Sequence, residues 1–177
     1  MAAYNKVGMV LNWMETSPRR VMAAIFAVCV AMLAFGLYLQ HGVGLEPCPM
    51  CIVQRYALIL VACFALLAST SGRKGLQMGA LGLLALAAGF GAFVAARQSW
   101  LQWYPPEIAS CGRDFYGMIE TFPLKRAIPM IFKGSGDCTK VDWTFLTLSI
   151  ANWSFLWFVA FAGVALVLLA RQLGRRA

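Results

Sequence analysis

The chain of 177 residues is 61% hydrophobic and only 12% charged, and it carries a net charge of +8. A single small soluble core does not require so many apolar residues, so the composition excludes an ordinary soluble domain and indicates an integral membrane protein. Because the basic residues cluster beside apolar segments, we interpret the positive charge as a signal of membrane topology and not as a nucleic-acid-binding surface.

Four apolar segments are long enough to cross a membrane, at about residues 21–40, 52–69, 75–96 and 149–170. Each has about the 17–25 residues that a helix needs to span ~30 Å of hydrocarbon. The segments lack the period-two alternation of barrel strands, and lipid cannot pair with exposed backbone groups, so we expect helices. The predicted fold is an all-α membrane protein, a four-helix transmembrane bundle that forms one integral domain over residues 1–177, with loops at about 41–51 and 97–148.

Small residues recur through the third segment, where they would let neighbouring backbones approach closely. The pattern is typical of packing between membrane helices. We therefore expect close contacts at Gly79, Gly82, Gly89 and Gly91.

The distribution of charge predicts the orientation of the bundle. An even number of spans places both termini on one side, and that side carries eight basic residues against the single acid Glu15. The loops on the other side carry nearly balanced charge. By the positive-inside rule both termini are cytoplasmic. In a bacterium this predicts a multi-pass protein of the inner membrane, with both loops in the periplasm.

Four of the six cysteines lie outside the predicted spans: Cys48, Cys51, Cys111 and Cys138. The periplasm is a compartment in which disulfides persist. A closely spaced pair just before an apolar run, with a widely spaced pair on the same side, suits two disulfides that exchange electrons. Cys29 and Cys63 lie within spans, where a thiol behaves as a small apolar side chain.

The segment from Cys48 to Arg55 can support thiolate chemistry. If the second helix begins at Pro49, Cys48 is its N-cap and Cys51 lies in its first turn. The positive end of the helix would then favour a thiolate by a few tenths to about 1 kcal/mol. Arg55 follows Cys51 by four residues and falls on the same helix face, where a guanidinium would stabilise both a thiolate and a reduced, anionic acceptor.

These residues also have simpler interpretations. Arg55 could be an interfacial residue that extends its charge toward water. The cysteines could form inert structural disulfides or half of a zinc site. Zinc fits poorly because Cys111 and Cys138 are far apart in sequence and the only histidine is His41. We therefore predict no metal site.

Five short motifs surround the predicted spans. They are Gln40-His41, Cys48-Pro49-Met50-Cys51-Ile52-Val53-Gln54-Arg55, Leu101-Gln102-Trp103-Tyr104-Pro105, Ala109-Ser110-Cys111 and Gly134-Ser135-Gly136-Asp137-Cys138. Each motif is weak alone. Together with the four-span pattern they resemble the DsbB family of disulfide-bond-forming membrane proteins, and the resemblance extends from the first span to the last.

The resemblance implies a protein-disulfide oxidoreductase. Such a protein reoxidises a periplasmic DsbA-like thiol oxidase and passes two electrons to ubiquinone, or to menaquinone. By resemblance, Cys111 forms the mixed disulfide with the partner and Cys138 is its loop mate. The Cys48/Cys51 pair then reoxidises the second pair.

The resemblance also implies how the acceptor is held. Cys51 would lie against the quinone ring and Arg55 beside the quinone oxygens, and Cys48 could bridge transiently to Cys138. Gln98, at the end of the third span, stands where family members can carry a polar residue near the quinone, so we include it as a candidate contact. The expected partners are the thiol oxidase, the quinone and membrane lipid.

Two other functions stay open at this point. A quinone oxidoreductase resembling vitamin K epoxide reductase also places a cysteine pair in a helical bundle, although the placement of Arg55 favours the DsbB family. A non-enzymatic membrane protein could instead use two disulfides only to brace its loops. The sequence does not separate an enzyme of general range from one dedicated to a single substrate.

Overall fold

A computed structural model describes residues 17–105, 136–139, 141 and 143–174 of the chain. In chain order, the described residues form α1 (Pro18–His41), α2 (Pro49–Thr70), α3 (Lys74–Trp103), α4 (Gly136–Thr139), β1 (Thr144–Phe145), β2 (Leu148–Ser149) and α5 (Ile150–Gly174). The helices α1, α2, α3 and α5 each have a mean hydropathy of 2.0–2.4 over their most apolar window and are long enough to cross a membrane. The chain is a multi-pass membrane protein, and the prediction of an all-α four-helix transmembrane bundle is confirmed.

Prolines define the starts of the first two membrane helices. Pro18 and Pro49 lie in the first turn of α1 and α2, where a proline is tolerated because the backbone N–H that it lacks would be unpaired there. Because α2 begins at Pro49, residues 49–51 are helical, although the sequence predicts them to be the end of loop 41–51. At its other end α2 stops at Thr70, and residues 71–73 alone connect it to α3. Such a short connection makes α2 and α3 antiparallel neighbours.

The third membrane helix is longer than the apolar segment that predicts it. The sequence predicts a loop from residue 97, but α3 continues to Trp103. The additional turns contain Gln98 and Leu101, which are both buried. A helix can extend beyond the hydrocarbon where tertiary packing covers one of its faces, and hydropathy does not detect such packing.

A small hairpin precedes α5, although the sequence predicts a loop there. The strands β1 and β2 pair antiparallel, with Phe145 opposite Leu148. The turn residues Leu146 and Thr147 have φ angles of 50° and 67°. A turn with positive φ at both central residues suits the twist of paired strands but usually contains Asn or Gly, so this sequence does not indicate it. Trp153 Nε1 donates to the Phe145 carbonyl at 3.0 Å and holds the hairpin on α5.

The membrane helices pack in chain order, α1 on α2, α2 on α3, and α3 on α5. Helices α3 and α5 approach closely at Gly91, where a Cβ atom would lie 2.5 Å from the ring of Phe158. The prediction of close packing is confirmed at this glycine. It is wrong at three other positions of α3, because a Cβ atom would meet nothing within 4 Å at Gly79, Gly82 or Gly89.

Replacing Gly91 with Ala should destabilise the bundle, because the new methyl group would collide with Phe158. We expect the free energy of unfolding to fall by about 1–3 kcal/mol, the usual cost of overpacking. The matched control is Gly89→Ala, which adds the same methyl group to the same helix in open space and should leave stability unchanged or slightly higher. Denaturant unfolding of the detergent-solubilised variants measures the difference, and equal stabilities would contradict the packing argument.

Candidate functional site

The Cys48-Pro49-Met50-Cys51 motif begins α2, and the predicted N-cap is confirmed. The Sγ atom of Cys48 accepts a hydrogen bond from the backbone N–H of Cys51 at 3.3 Å. The two Sγ atoms are 2.7 Å apart, so only a small movement separates the thiols from a disulfide, in which the sulfurs are about 2.05 Å apart. Cys48 is buried and Cys51 is partly exposed. Cys51 is therefore the more exposed residue of the pair.

Cys138, in α4, lies against this pair. It is fully buried and belongs to one cluster with Cys48, Met50 and Leu101. Hydrogen bonding with Cys138, and then with Cys51, acts together with burial to raise the pKa of the Cys48 thiol well above its ordinary range. Cys48 therefore keeps its proton in this arrangement, which leaves Cys51 as the sulfur of the pair that can carry negative charge.

Two buried glutamines connect the sulfur pair to α3. The Nε2 atom of Gln98 lies 3.3 Å from the Sγ atoms of both Cys48 and Cys51. The Oε1 atom of Gln98 accepts a hydrogen bond from Gln54 Nε2 at 2.7 Å. Gln98 therefore donates to the two sulfurs. The sequence predicts Gln98 only as a contact of the quinone and does not predict these hydrogen bonds.

Arg55 lies one turn deeper than Cys51 on α2 and connects this helix to α1. Its Nη1 donates to Gln40 Oε1 at 2.5 Å, and its Nη2 donates to the Gly36 carbonyl at 3.0 Å. Both partners are neutral oxygens, so these bonds fix the guanidinium in place without cancelling its positive charge. The side chain is partly buried, and its head is held by α1 instead of extending freely toward water.

A cavity of about 580 Å³ lies beside Cys51 and Arg55. Much of its wall comes from the first and last membrane helices, including Phe35 of α1 and Trp157 of α5. The amide of Gln98 joins the sulfur and the guanidinium among its polar groups, which also include Glu46. A mostly apolar cavity of this size with a few converging polar groups is typical of a small-molecule site.

Aromatic side chains of the hairpin region form one wall of this cavity. The ring of Trp143 contacts Phe35 of α1 edge-on, with centroids 5.7 Å apart, and stacks on Phe145 at 6.2 Å. Phe145 in turn packs on Trp153 of α5 at 6.1 Å. This row of rings extends from α1 to α5 and covers one side of the cavity.

The structure brings together five residues that the sequence predicts for the site: Cys48, Cys51, Cys138, Arg55 and Gln98. Cys111 lies outside the described residues. Gln54 belongs to the Cys48–Arg55 motif but has no predicted role. The sequence does contain a signal for its role. Gln54 is an amide in an apolar span, three residues after Cys51, and such a group requires a polar partner inside the bundle. The aromatic wall lacked such a signal, because it depends on the hairpin.

The family model described as "Disulfide bond formation protein DsbB" matches residues 18–168. A "Disulfide bond formation protein B" of Acidovorax sp. (strain JS42) is 74% identical over 161 residues, which cover 91% of this chain and 92% of the relative. Proteins of the same name from Polaromonas sp. (strain JS666 / ATCC BAA-500) and Azoarcus sp. (strain BH72) are 71% and 57% identical; the matches cover 95% and 89% of this chain and 100% and 94% of those relatives. By these matches, the chain belongs to the DsbB family of disulfide bond formation proteins.

Proposed function

We propose that this chain is a quinone-dependent protein-disulfide oxidoreductase. It reoxidises a periplasmic DsbA-like thiol oxidase and passes the electrons through two cysteine pairs to a membrane quinone, either ubiquinone or menaquinone. The observation that carries the proposal is the position of Cys51, whose side chain lines a cavity among membrane helices next to the guanidinium of Arg55. Membership of the DsbB family supports the proposal and argues against the function of a vitamin K epoxide reductase.

Redox energetics explain why such a protein needs an external acceptor. Structural disulfides of secreted proteins have potentials below about −300 mV, whereas a DsbA-like oxidase has a potential near about −120 mV. The difference of roughly 180 mV corresponds to about 8 kcal/mol for two electrons. An ordinary disulfide could not oxidise such a partner, and a strong oxidant dissolved in the membrane could.

The cavity fits a quinone headgroup in size and chemistry. Its volume of about 580 Å³ lies within the usual range of small-molecule sites. The aromatic wall suits a planar ring, and Arg55 and Gln98 could hold polar substituents. Because α1 and α5 supply much of the wall, an isoprenoid tail could remain in lipid. When bound, a quinone would accept two electrons and two protons.

The residues of the chain would supply the thiol chemistry. Oxidation of the Cys48/Cys51 dithiol forms one S–S bond and releases two electrons and two protons. Cys51 lies in the first turn of α2, where the positive end of the helix favours a thiolate. The guanidinium of Arg55 would stabilise negative charge on the sulfur or on the acceptor, and the surrounding apolar side chains exclude water from the reaction.

The second pair would connect this site to the soluble partner. We assign capture of the partner to Cys111: the partner dithiol becomes a disulfide while the Cys111/Cys138 disulfide is reduced. The contact between Cys138 and Cys48 supports direct thiol–disulfide exchange between the two pairs, through a transient Cys48–Cys138 bridge. Electrons could then reach Cys51 without leaving this end of the bundle.

We also propose an orientation in the bacterial inner membrane. The start of α1, the α2–α3 turn and the end of α5 belong to the basic end of the bundle, which includes Arg19, Arg73 and Arg171. The sulfur pair lies at the other end. The positive-inside rule makes the basic end cytoplasmic, so the cysteines would face the periplasm, where disulfides persist.

The purified protein should reduce a soluble quinone when it is supplied with a reduced DsbA-like oxidase, and Cys51→Ser should lower the rate to the uncatalysed background. The matched control is Cys63→Ser, because Cys63 lies on the same helix and is exposed away from the cavity. This variant should keep the rate of the unsubstituted protein. Quinone absorbance follows the reaction. Failure of the unsubstituted protein to reduce quinone would favour disulfides that only brace the loops.

Replacing Arg55 with Ala should raise the KM for quinone roughly ten- to hundredfold, because a charged hydrogen-bond donor beside the acceptor is lost. The KM of Arg55→Lys should lie between those of the unsubstituted protein and Arg55→Ala. Lysine restores the positive charge but lacks the planar guanidinium that can form two hydrogen bonds at once. Arg73→Ala, which removes an exposed arginine at the far end of the bundle, is the control and should leave KM unchanged. Steady-state rates over a range of quinone concentrations measure the effect, and an unchanged KM for Arg55→Ala would refute the assigned role.

A further inference from the structure

The glutamine pair determines which end of an amide faces the reactive sulfurs. A primary amide has a donor end and an acceptor end, and a half-turn of the amide group exchanges them. Gln98 Nε2 lies 3.3 Å from the Sγ atom of Cys51, and Gln98 Oε1 lies 3.7 Å from the same atom. Both ends of this amide are therefore close enough to face the sulfur.

The two ends have opposite effects on a thiolate. A thiolate accepts hydrogen bonds and has no proton to donate, so the NH₂ group of Gln98 would stabilise it and the carbonyl oxygen would repel it. Hydrogen bonds to charged groups are stronger than those between neutral groups, particularly where water is excluded. The orientation of this one amide therefore controls the charge that Cys51 can carry.

We infer that Gln54 is a positioning residue that holds the amide of Gln98 with its NH₂ group toward the Cys48/Cys51 pair. Gln54 Nε2 donates to Gln98 Oε1 at 2.7 Å, which occupies that oxygen and leaves the NH₂ group as the end of the amide nearer to Cys51, at 3.3 Å against 3.7 Å. Both side chains are buried, with exposures of 6% and 4%, so bulk water does not compete for the bond. The inference rests on the proposed electron transfer through Cys51 and deepens it.

Other groups near the sulfurs are not altered by changing Gln54. Cys138 contacts Cys48, and Glu46 and Arg55 lie on the wall of the cavity. All three keep their positions relative to the sulfurs if the only change is the loss of one amide. An effect of a Gln54 substitution on Cys51 would therefore report the hydrogen bond and not the removal of a nearby charge.

Alkylation of Cys51 in the reduced full-length protein tests the inference, with iodoacetamide as the probe and peptide mapping to separate Cys51 from Cys48. Gln54→Met and Gln98→Met remove each amide while keeping an unbranched side chain of similar length. We expect each variant to alkylate about tenfold more slowly at neutral pH, and we expect the double variant to be no slower than Gln98→Met alone. The ordinary thiol pKa is about 8.5. The rates should converge at a pH well above the Cys51 pKa of the slowest variant, because Cys51 is then ionised in every protein compared.

The matched control is Gln77→Met, which replaces another buried glutamine of α3 near the opposite end of the bundle. It should leave the alkylation of Cys51 unchanged. An unchanged rate in Gln54→Met, effects that multiply in the double variant, or a rate lowered equally at every pH would each overturn the inference. The last outcome would indicate reduced access to the sulfur and not a change in its charge.

A second variant covers the case in which Gln54→Met does not fold. In Gln54→Asn the amide is one methylene shorter, so it cannot hold Gln98 Oε1 at the same distance, and no charge is added beside the sulfurs. Cys51 should again alkylate more slowly at neutral pH, and an unchanged or faster rate would overturn the inference. Alkylation requires neither quinone nor a thiol partner. Its result is therefore independent of whether the chain transfers electrons between them.

Discussion

One constraint shapes this molecule: a guanidinium, two amides and three thiols lie at the end of an apolar helix bundle, where each polar group needs a partner. Arg55 bonds to two oxygens of α1, and Gln54 and Gln98 bond to each other across α2 and α3. The hydrogen bonds that satisfy the site therefore also fix these three helices relative to one another. For this reason the geometry of the site depends directly on the packing of the bundle.

The same arrangement gives the two sulfurs at the start of α2 different properties. Cys48 is buried, caps the helix and shares a hydrogen bond with Cys138. Both sulfurs belong to residues that line the cavity and both lie 3.3 Å from the NH₂ group of Gln98, but Cys51 is the more exposed residue. A protonated, buried thiol and a more exposed sulfur suit a pair that exchanges with another disulfide on one side and loses electrons on the other. This difference arises from the neighbours of each cysteine, because the residue type is the same.

Much of the fold could be predicted from the sequence, because hydropathy and charge act along the chain. The four helices, the N-cap at Cys48 and the placement of Arg55 on the side of Cys51 all follow from spacing and helix geometry. The role of Gln54 could not be predicted, since its partner is 44 residues away on another helix. The aromatic wall depends on a hairpin whose turn residues, Leu146 and Thr147, are unusual at positive φ. Tertiary contacts decided these features, and local patterns do not encode them.

The account depends on an electron acceptor that occupies the cavity beside Cys51, between α1 and α5. A photoreactive quinone analogue, irradiated with the protein and followed by peptide mapping, tests this most directly. We expect crosslinks in peptides of α1 and α5 that carry wall residues such as Phe35 and Trp157, and excess unlabelled ubiquinone should suppress them. Crosslinks confined to exposed positions such as Leu86 of α3, and unaffected by the competitor, would contradict the account.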